Sequence, residues 1–134
     1  MRINKSIFRY IEHELYNYEQ TKRDLALYRE QVLEGTASPE VSVQSSPGDV
    51  TADKAVKLTS SAFVVQAERI INAIDRALSI LGDKHKELFK LKYQLGVSWP
   101  NITIDMGISD RTYYRIRREL VVTVGQQLGL INVE

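Results

Sequence analysis

The chain has 134 residues, of which 43% are hydrophobic and 26% charged, and it contains no cysteine. This composition is typical of a soluble globular protein and excludes disulfide bonds, thiolate metal sites and a cysteine nucleophile. The formal net charge of +1 favours no partner by itself, and no segment approaches the roughly 20 apolar residues of a membrane span, so we expect a cytoplasmic protein that does not enter a membrane.

The segment 1–34 has the pattern of one long amphipathic helix. Apolar residues recur every three, four or seven positions from about Asn4 to Glu34, and charged residues fill the opposite face. At ~1.5 Å per residue such a helix is roughly 45 Å long, and Gly35 is its natural end.

A stripe of four residues within this helix has the seven-residue spacing of a coiled coil. Glu14 and Thr21 occupy the positions where a coiled coil needs its second apolar residue, which weakens that interpretation. We expect the stripe to pack against the second helix of the same chain, and a homodimer is the alternative. The stripe consists of Ile11, Tyr18, Leu25 and Val32.

A linker and a second long helix follow. Residues 35–49 contain nine Gly, Pro, Ser or Thr in fifteen, so we predict a flexible linker over 35–50. The second helix is predicted over 51–82, with Thr51 as its N-cap and Gly82 at its end. Its apolar face comprises Val56, Phe63, Ala67, Ile70, Ile74, Leu78 and Leu81.

The last segment, 83–134, carries three shorter helical patterns separated by glycines. Their predicted N-caps are Asp83, Ser98 and Ser109, and they are expected to end at Gly96, at Gly107 and at about Leu128. The first of them is expected to bury Leu88, Leu91 and Leu95. Apolar residues near the C-terminus are expected to pack on the core or on a second subunit; they are Val121, Val122, Val124, Leu128, Leu130 and Ile131.

The second and third of these patterns together match a helix-turn-helix. Trp99, Ile102 and Met106 lie three or four positions apart and form a buried stripe, and Thr103 is small where the two helices approach. Gly107 permits the positive φ of a sharp turn, and Ile108 fills the corner. Ile104 departs from the motif because this position is usually polar.

The helix after the turn has the charge pattern of a DNA-recognition helix. Tyr113, Ile116 and Leu120 point inward, so the opposite face must be exposed. We predict that Arg111 and Arg115 read bases in the major groove and that Asp110 and Tyr114 assist them. Phosphate contacts are assigned to Ser109, Thr112, Arg117 and Arg118.

The charge distribution agrees with a DNA-binding segment near the C-terminus. Residues 83–118 contain eight basic and four acidic side chains, which gives a local charge of +4 and leaves the remainder slightly acidic. Lysines 84, 86, 90 and 92 either extend the phosphate-binding surface or only solubilise their helix.

Several short segments spread over most of the chain match the pattern of one family. They are Arg9–Leu15, Thr21–Lys22, Ala55–Thr59, Ala73–Leu78 and Thr112–Arg115. On these segments the chain resembles the RinA family of phage transcriptional activators, which is similar to the ArpU-like late-gene regulators, and its C-terminal part is similar to region 4 of sigma factors. The resemblance implies activation of phage late genes in a bacterial host through contact with promoter DNA and RNA polymerase.

The sequence therefore predicts an all-α DNA-binding transcriptional regulator, with long N-terminal helices followed by a helix-turn-helix module similar to sigma region 4. Two alternatives are a phage small terminase subunit that binds DNA for packaging and a helical protein-interaction adaptor. We expect neither an enzyme nor a cofactor: no phosphate-binding glycine loop exists, and His13 and His85 have no partner at metal-ligand spacing. Glu12 and Glu14 are expected to be solvated charges, not a catalytic pair.

Overall fold

The computed structural model describes residues 3–34 and 61–132, and the all-α fold class is confirmed for them. The predicted linker 35–50 and the beginning of the predicted second helix, 51–60, lie outside these residues. No helix within the described ranges is both long and apolar enough to cross a bilayer. The helices are α1 (Lys5–Tyr16), α2 (Tyr18–Glu34), α3 (Ala62–Ile80), α4 (Asp83–Leu88), which continues as a π-helix over Phe89–Gln94, α5 (Trp99–Met106) and α6 (Asp110–Gln127).

The segment predicted as one long N-terminal helix consists of α1 and α2, with Asn17 between them. Asn4 begins α1, and its side-chain oxygen accepts a hydrogen bond from the Ser6 amide at 2.7 Å. Asn17 ends α1, and its side-chain amide lies 2.9 Å from the ring of His13. Asn17 has φ −91° and ψ 3°, outside the α-helical region, so α1 and α2 are separate elements.

The chain packs as two compact units. Within the described residues, the first unit comprises 3–19 and 70–132, and the second comprises 20–34 and 61–69. The first unit therefore contains α1 and the second half of α3 as well as the segment 83–134. The C-terminal helices share one core with the beginning of the chain, so residue 83 is not a boundary in packing.

The core of the first unit combines side chains from all of its helices. Ile11 and Leu15 from α1 are fully buried, and so is Ile74 from α3. Contributions from the C-terminal half include Leu88, Ile102, Tyr113, Ile116, Leu120, Val121 and Val124. Of the other apolar residues near the C-terminus, Leu128 is buried and Ile131 packs against the cluster, whereas Leu130 is 40% exposed.

The π-helix changes which side of the helix predicted over 83–96 faces the core. The amide of Leu95 donates to the carbonyl of Lys90, five residues earlier, at 2.9 Å, instead of to the residue four positions earlier. Leu88 is buried as predicted, and within the π-helix the buried side chains are those of Phe89 and Tyr93. The prediction that Leu95 is buried was wrong, since its side chain is 61% exposed.

The N-cap of the same helix also differs by one residue from the prediction, which placed it at Asp83. Gly82 is its N-cap, with extended backbone, and Asp83 is the first helical residue. Asp83 lies in the first turn, where a carboxylate interacts favourably with the helix dipole.

The second unit is a short pairing of α2 with the beginning of α3. Its buried apolar side chains are those of Leu25, Val32, Val64 and Ala67. The rings of Tyr28 and Phe63 lie 5.2 Å apart, and Arg29 forms an ion pair with Glu68. All four residues of the seven-residue stripe are buried within the single chain. The predicted partner was the second helix, whereas α1, which carries Ile11, packs against α6 and the π-helix.

Candidate nucleic-acid interface

A tight turn joins α5 to α6. Gly107 has φ 64° and ψ 41°, a left-handed conformation that glycine adopts without strain, and the amide of Ile108 donates to the carbonyl of Thr103 at 3.0 Å. Ile102 is fully buried, and Ile108 packs partly buried against the core, so the turn is fixed by both its backbone and its apolar contacts. These features agree with the predicted positions of the glycine and of the apolar residue after it.

The first helix of this pair is less buried than the spacing predicts. Trp99 is 42% exposed, and its ring lies 6.3 Å from Tyr113 and 6.4 Å from Tyr114 of α6, so it covers the contact between the two helices. Ile104, the position that departs from the motif, is 75% exposed. Thr103 is half-buried and bonds to the carbonyl of Pro100.

The N-terminus of α6 is capped by its own side chains. The hydroxyl oxygen of Ser109 accepts a hydrogen bond from the amide of Thr112 at 3.1 Å, and the hydroxyl group donates to Thr112 Oγ1 at 3.0 Å. Both hydroxyl groups therefore hold the first turn in place. Asp110 is exposed in this turn.

The face of α6 opposite the core carries most of the predicted DNA-binding residues. Tyr113, Ile116 and Leu120 are buried as predicted. At 3.6 residues per turn, the exposed residues lie within an arc of about 100° on the other side of the helix. They are Arg111, Tyr114, Arg115 and Arg118, and all four side chains are exposed.

Glu119 is the acidic neighbour of this exposed face. Its Oε1 atom accepts a hydrogen bond from Arg115 Nη1 at 3.0 Å and lies 3.1 Å from the ring nitrogen Nε2 of His85 on α4. An exposed pair four residues apart stabilises a helix by only about 0.3–0.5 kcal/mol. Arg115 can therefore exchange Glu119 for another acceptor at small cost.

Arg117 does not belong to the exposed face. Its Nε donates to Glu12 Oε2 at 2.9 Å and its Nη2 to Glu12 Oε1 at 2.6 Å, and its guanidinium lies 5.1 Å from the ring centre of Phe8. The hydroxyl of Tyr93 donates to the same carboxylate at 2.6 Å. The predicted phosphate contact of Arg117 and the predicted solvation of Glu12 are both replaced by this network, which ties α1 to α6.

The surroundings of Glu12 shift its acid–base equilibrium. Burial alone raises the pKa of Glu12, but the hydrogen bonds from Arg117 and Tyr93 lower it by more, so the net pKa lies below the ordinary value of 4.5. Burial and the neighbouring Glu12 carboxylate raise the pKa of the Tyr93 hydroxyl, and the hydrogen bond to Glu12 raises the pKa of Arg117. The carboxylate and the guanidinium are therefore charged at neutral pH.

Replacing Glu12 with glutamine is expected to lower the free energy of unfolding by about 1.5–3 kcal/mol at pH 7, because hydrogen bonds between charged groups are lost. A carboxyl group with a lowered folded pKa stabilises the protein fully above its unfolded pKa and loses that contribution as the pH falls through the folded pKa. The difference between wild type and variant should therefore shrink below pH 4.5. Urea unfolding at several pH values measures this difference in stability, and a difference that stays constant down to pH 3 contradicts the prediction.

The four lysines of α4 and its π-helical continuation divide into two groups. Lys84, Lys86 and Lys90 are exposed. Lys92 is half-buried, and its ammonium group lies 5.5–5.8 Å from the ring centres of three tyrosines, which are Tyr16, Tyr93 and Tyr113. Lys92 is thus part of the packing between α1 and α6.

Lys5 and Arg9 are not among the binding residues predicted from the sequence, yet both line an open cleft beside Arg118. They are four residues apart on α1, on the face that also carries Phe8 and Glu12. The i, i+4 spacing of two cations was visible in the sequence, but their proximity to a helix more than 100 residues later was not. No group of three or more metal-ligating side chains occurs in the part of the chain that the structure describes.

Comparison with known proteins identifies a family for the chain. A family model described as a protein of unknown function, DUF722, matches residues 6–126. No curated protein and no solved structure shows a significant match to the chain.

Proposed function

The chain belongs to the DUF722 family, whose function is unknown, and we propose that it is a sequence-specific double-stranded DNA-binding protein that regulates transcription. The observation that carries the proposal is the exposed face of α6, with Arg111, Tyr114 and Arg115 in its first two turns. The major groove is about 12 Å wide and admits one α-helix, and recognition helices use their N-terminal residues to contact base edges. The tight turn at Gly107 supports this use, because it holds the start of α6 against a packed helix.

The residues of this face have different roles in the proposal. Arg111 and Arg115 are the base-reading residues, because a guanidinium can donate two hydrogen bonds to O6 and N7 of guanine. Tyr114 and Asp110 add secondary contacts from the same turns. Arg118 is one turn further along α6 and contacts a phosphate.

The hydroxyl groups of Ser109 and Thr112 have a supporting role. Ser109 caps α6 by accepting from the amide of Thr112, and the Thr112 hydroxyl accepts from Ser109, so the start of the helix and the positive end of its dipole are held in place to face a phosphate. Arg117 holds α1 against α6 and does not contact DNA in this proposal.

The resemblance to the RinA and ArpU-like regulators extends the proposal to a biological setting. On that basis the protein acts in the cytoplasm of a bacterial host, activates phage late genes, and contacts RNA polymerase when it is bound near a promoter. It needs no cofactor and catalyses no reaction. A homodimer would double the number of half-sites and so increase discrimination between sequences.

Selection of bound duplexes from a random pool, followed by sequencing, tests the proposal. The expected result is enrichment of one sequence, whose affinity at 0.15 M salt exceeds that of an unrelated duplex by about a thousandfold or more. Light scattering of the purified protein should show a monomer or dimer. Binding without sequence preference contradicts the regulatory role, and a large ring indicates packaging of DNA instead.

A further inference from the structure

Two side chains from different helices meet on one carboxylate oxygen beside the exposed face of α6. The Oε1 atom of Glu119 accepts from Arg115 Nη1 at 3.0 Å, and the ring nitrogen Nε2 of His85 on α4 lies 3.1 Å from the same atom. Four residues advance by about 40° around a helix, so Glu119 lies at the edge of the face that carries Arg115. This arrangement connects a proposed base-reading residue with a second packed helix.

The surroundings of His85 fix the direction of its hydrogen bond. Its side chain is only 15% exposed, and the ring nitrogen Nδ1 is buried without a hydrogen-bond partner among the residues that the structure describes. A carboxylate oxygen only accepts, so Nε2 carries a proton and donates it to Glu119. A ring with so little exposed surface is held by its neighbours, and its hydrogen bond therefore restricts the position of the Glu119 carboxylate.

Arg115 keeps the donors that base reading needs while it pairs with Glu119. The ion pair uses Nη1, whereas Nε and Nη2 share another edge of the guanidinium. Two donors on one edge match the acceptors O6 and N7 of guanine. The pair is exposed and adds little to stability, but it reduces the number of orientations that a long side chain samples before DNA binds.

We propose that Glu119 is a positioning residue, which holds Arg115 in the orientation that reads guanine and thereby determines specificity at that base pair. This role rests on the proposed function. A side chain that is ordered before binding loses less conformational entropy on contact with DNA, so more of the free energy of the bidentate contact appears as binding. His85 supports the same geometry from α4.

Arg111, the other proposed base-reading residue, has no such support at helical spacing. The residues three and four positions away from it carry no carboxylate; they are Gly107, Ile108, Tyr114 and Arg115. Arg111 therefore has to be ordered by the DNA itself, at a larger entropic cost. We expect the guanine contacted by Arg115 to be the more strictly required of the two bases.

Two variants at one position separate orientation from charge. Glu119→Ala removes the acceptor and the negative charge, whereas Glu119→Gln removes the same charge and keeps an oxygen that can accept from both neighbours. Competition binding compares the selected duplex with duplexes in which each guanine in turn is replaced by adenine. The guanine read by Arg115 is the one whose replacement no longer weakens the binding of Arg115→Ala, and the guanine read by Arg111 is identified in the same way.

Glu119→Ala should lower the preference for the guanine read by Arg115 by about three- to tenfold, while Glu119→Gln should stay within about twofold of wild type. The preference at the guanine read by Arg111 should be unchanged in both variants. The affinity of both variants for an unrelated duplex should not fall, because they lack a negative charge near the phosphates.

A second measurement needs no DNA. NMR relaxation of the Nε–H groups reports how ordered each arginine side chain is in the free protein. Arg115 should be more ordered than Arg111, and Glu119→Ala should remove that difference. In His85→Phe, which keeps an aromatic ring and removes the donor Nε2, the order of Arg115 should lie between these two values. If His85→Phe leaves Arg115 as ordered as in the wild type, the contribution of α4 is disproved.

The proposal is overturned if Glu119→Ala keeps the wild-type preference at the guanine read by Arg115. It is also overturned if this variant lowers both guanine preferences equally, which would indicate a general distortion of α6, or if Arg111 and Arg115 are equally ordered in the free wild type. Tighter binding of Glu119→Ala to all duplexes by one factor would mean that Glu119 only competes with DNA for Arg115. If the wild type prefers no duplex, the proposed function fails, and the positioning role fails with it.

Discussion

Replacing Phe89 with alanine is expected to lower the free energy of unfolding by about 3–5 kcal/mol, the usual range for a large aromatic residue in a core. The side chain is only 4% exposed, and its ring centre lies 5.4 Å from that of Tyr18 and 5.9 Å from that of Tyr93. Alanine would leave a cavity in the middle of a cluster to which α1, α3 and α6 all contribute.

Leu95→Ala is the matched control for this prediction. A regular α-helix that buries Leu88 and Leu91 would also bury Leu95, whereas the π-helical turn leaves it largely exposed. We therefore expect a change within about 0.5 kcal/mol, as for other surface substitutions. Urea unfolding followed by circular dichroism gives both values. A loss at Leu95 as large as that at Phe89 would mean that the segment keeps the α-helical register.

The π-helix shows why the fold could be predicted only in part from the sequence. Helical periodicity was sufficient for the all-α class and for the inward side chains of α6, because those residues follow a regular turn. It could not place the wider turn at Phe89–Gln94, which depends on what packs against it. One signal was present: Phe89 and Tyr93 are aromatic residues four positions apart, a second apolar stripe beside the leucines.

The candidate site, too, could be predicted only in part from the sequence. The exposure of Arg111, Arg115 and Arg118 follows from the period of α6 itself, so it could be predicted. The engagement of Arg117 could not, because its partner Glu12 is 105 residues away in the sequence. Neighbouring arginines on one helix can therefore have separate roles, and only the tertiary contacts distinguish them.

Arg111→Ala and Arg115→Ala are each expected to weaken binding to the selected duplex by about 1–3 kcal/mol, the cost of losing a bidentate contact with a guanine. The loss should be larger on the selected duplex than on an unrelated one, because a base-reading residue contributes mainly to discrimination. The variant at Arg115 has a second effect, since it leaves Glu119 without the cation that now pairs with it. Its carboxylate would then repel the phosphates.

Competition binding at fixed salt measures both variants, and Arg23→Ala provides a control with the same loss of charge on α2. Each arginine lies on the exposed side of its helix, so the folded state should tolerate all three substitutions. The double variant Arg111→Ala with Arg115→Ala tests whether the two arginines contribute independently to binding. Residues four apart on one helix can share a partner, and an effect smaller than the sum of the two single effects would indicate one common contact.

Arg118→Ala separates base reading from phosphate binding on the same face. It should weaken binding to all duplexes by a similar factor and lower the salt slope by about 1, because a phosphate contact carries no sequence information. Equal binding by the wild type, Arg111→Ala and Arg115→Ala would refute the recognition role of α6. In that case the exposed aromatic residues Trp99 and Tyr114 beside the arginines of α6 would be better explained by a protein partner than by DNA.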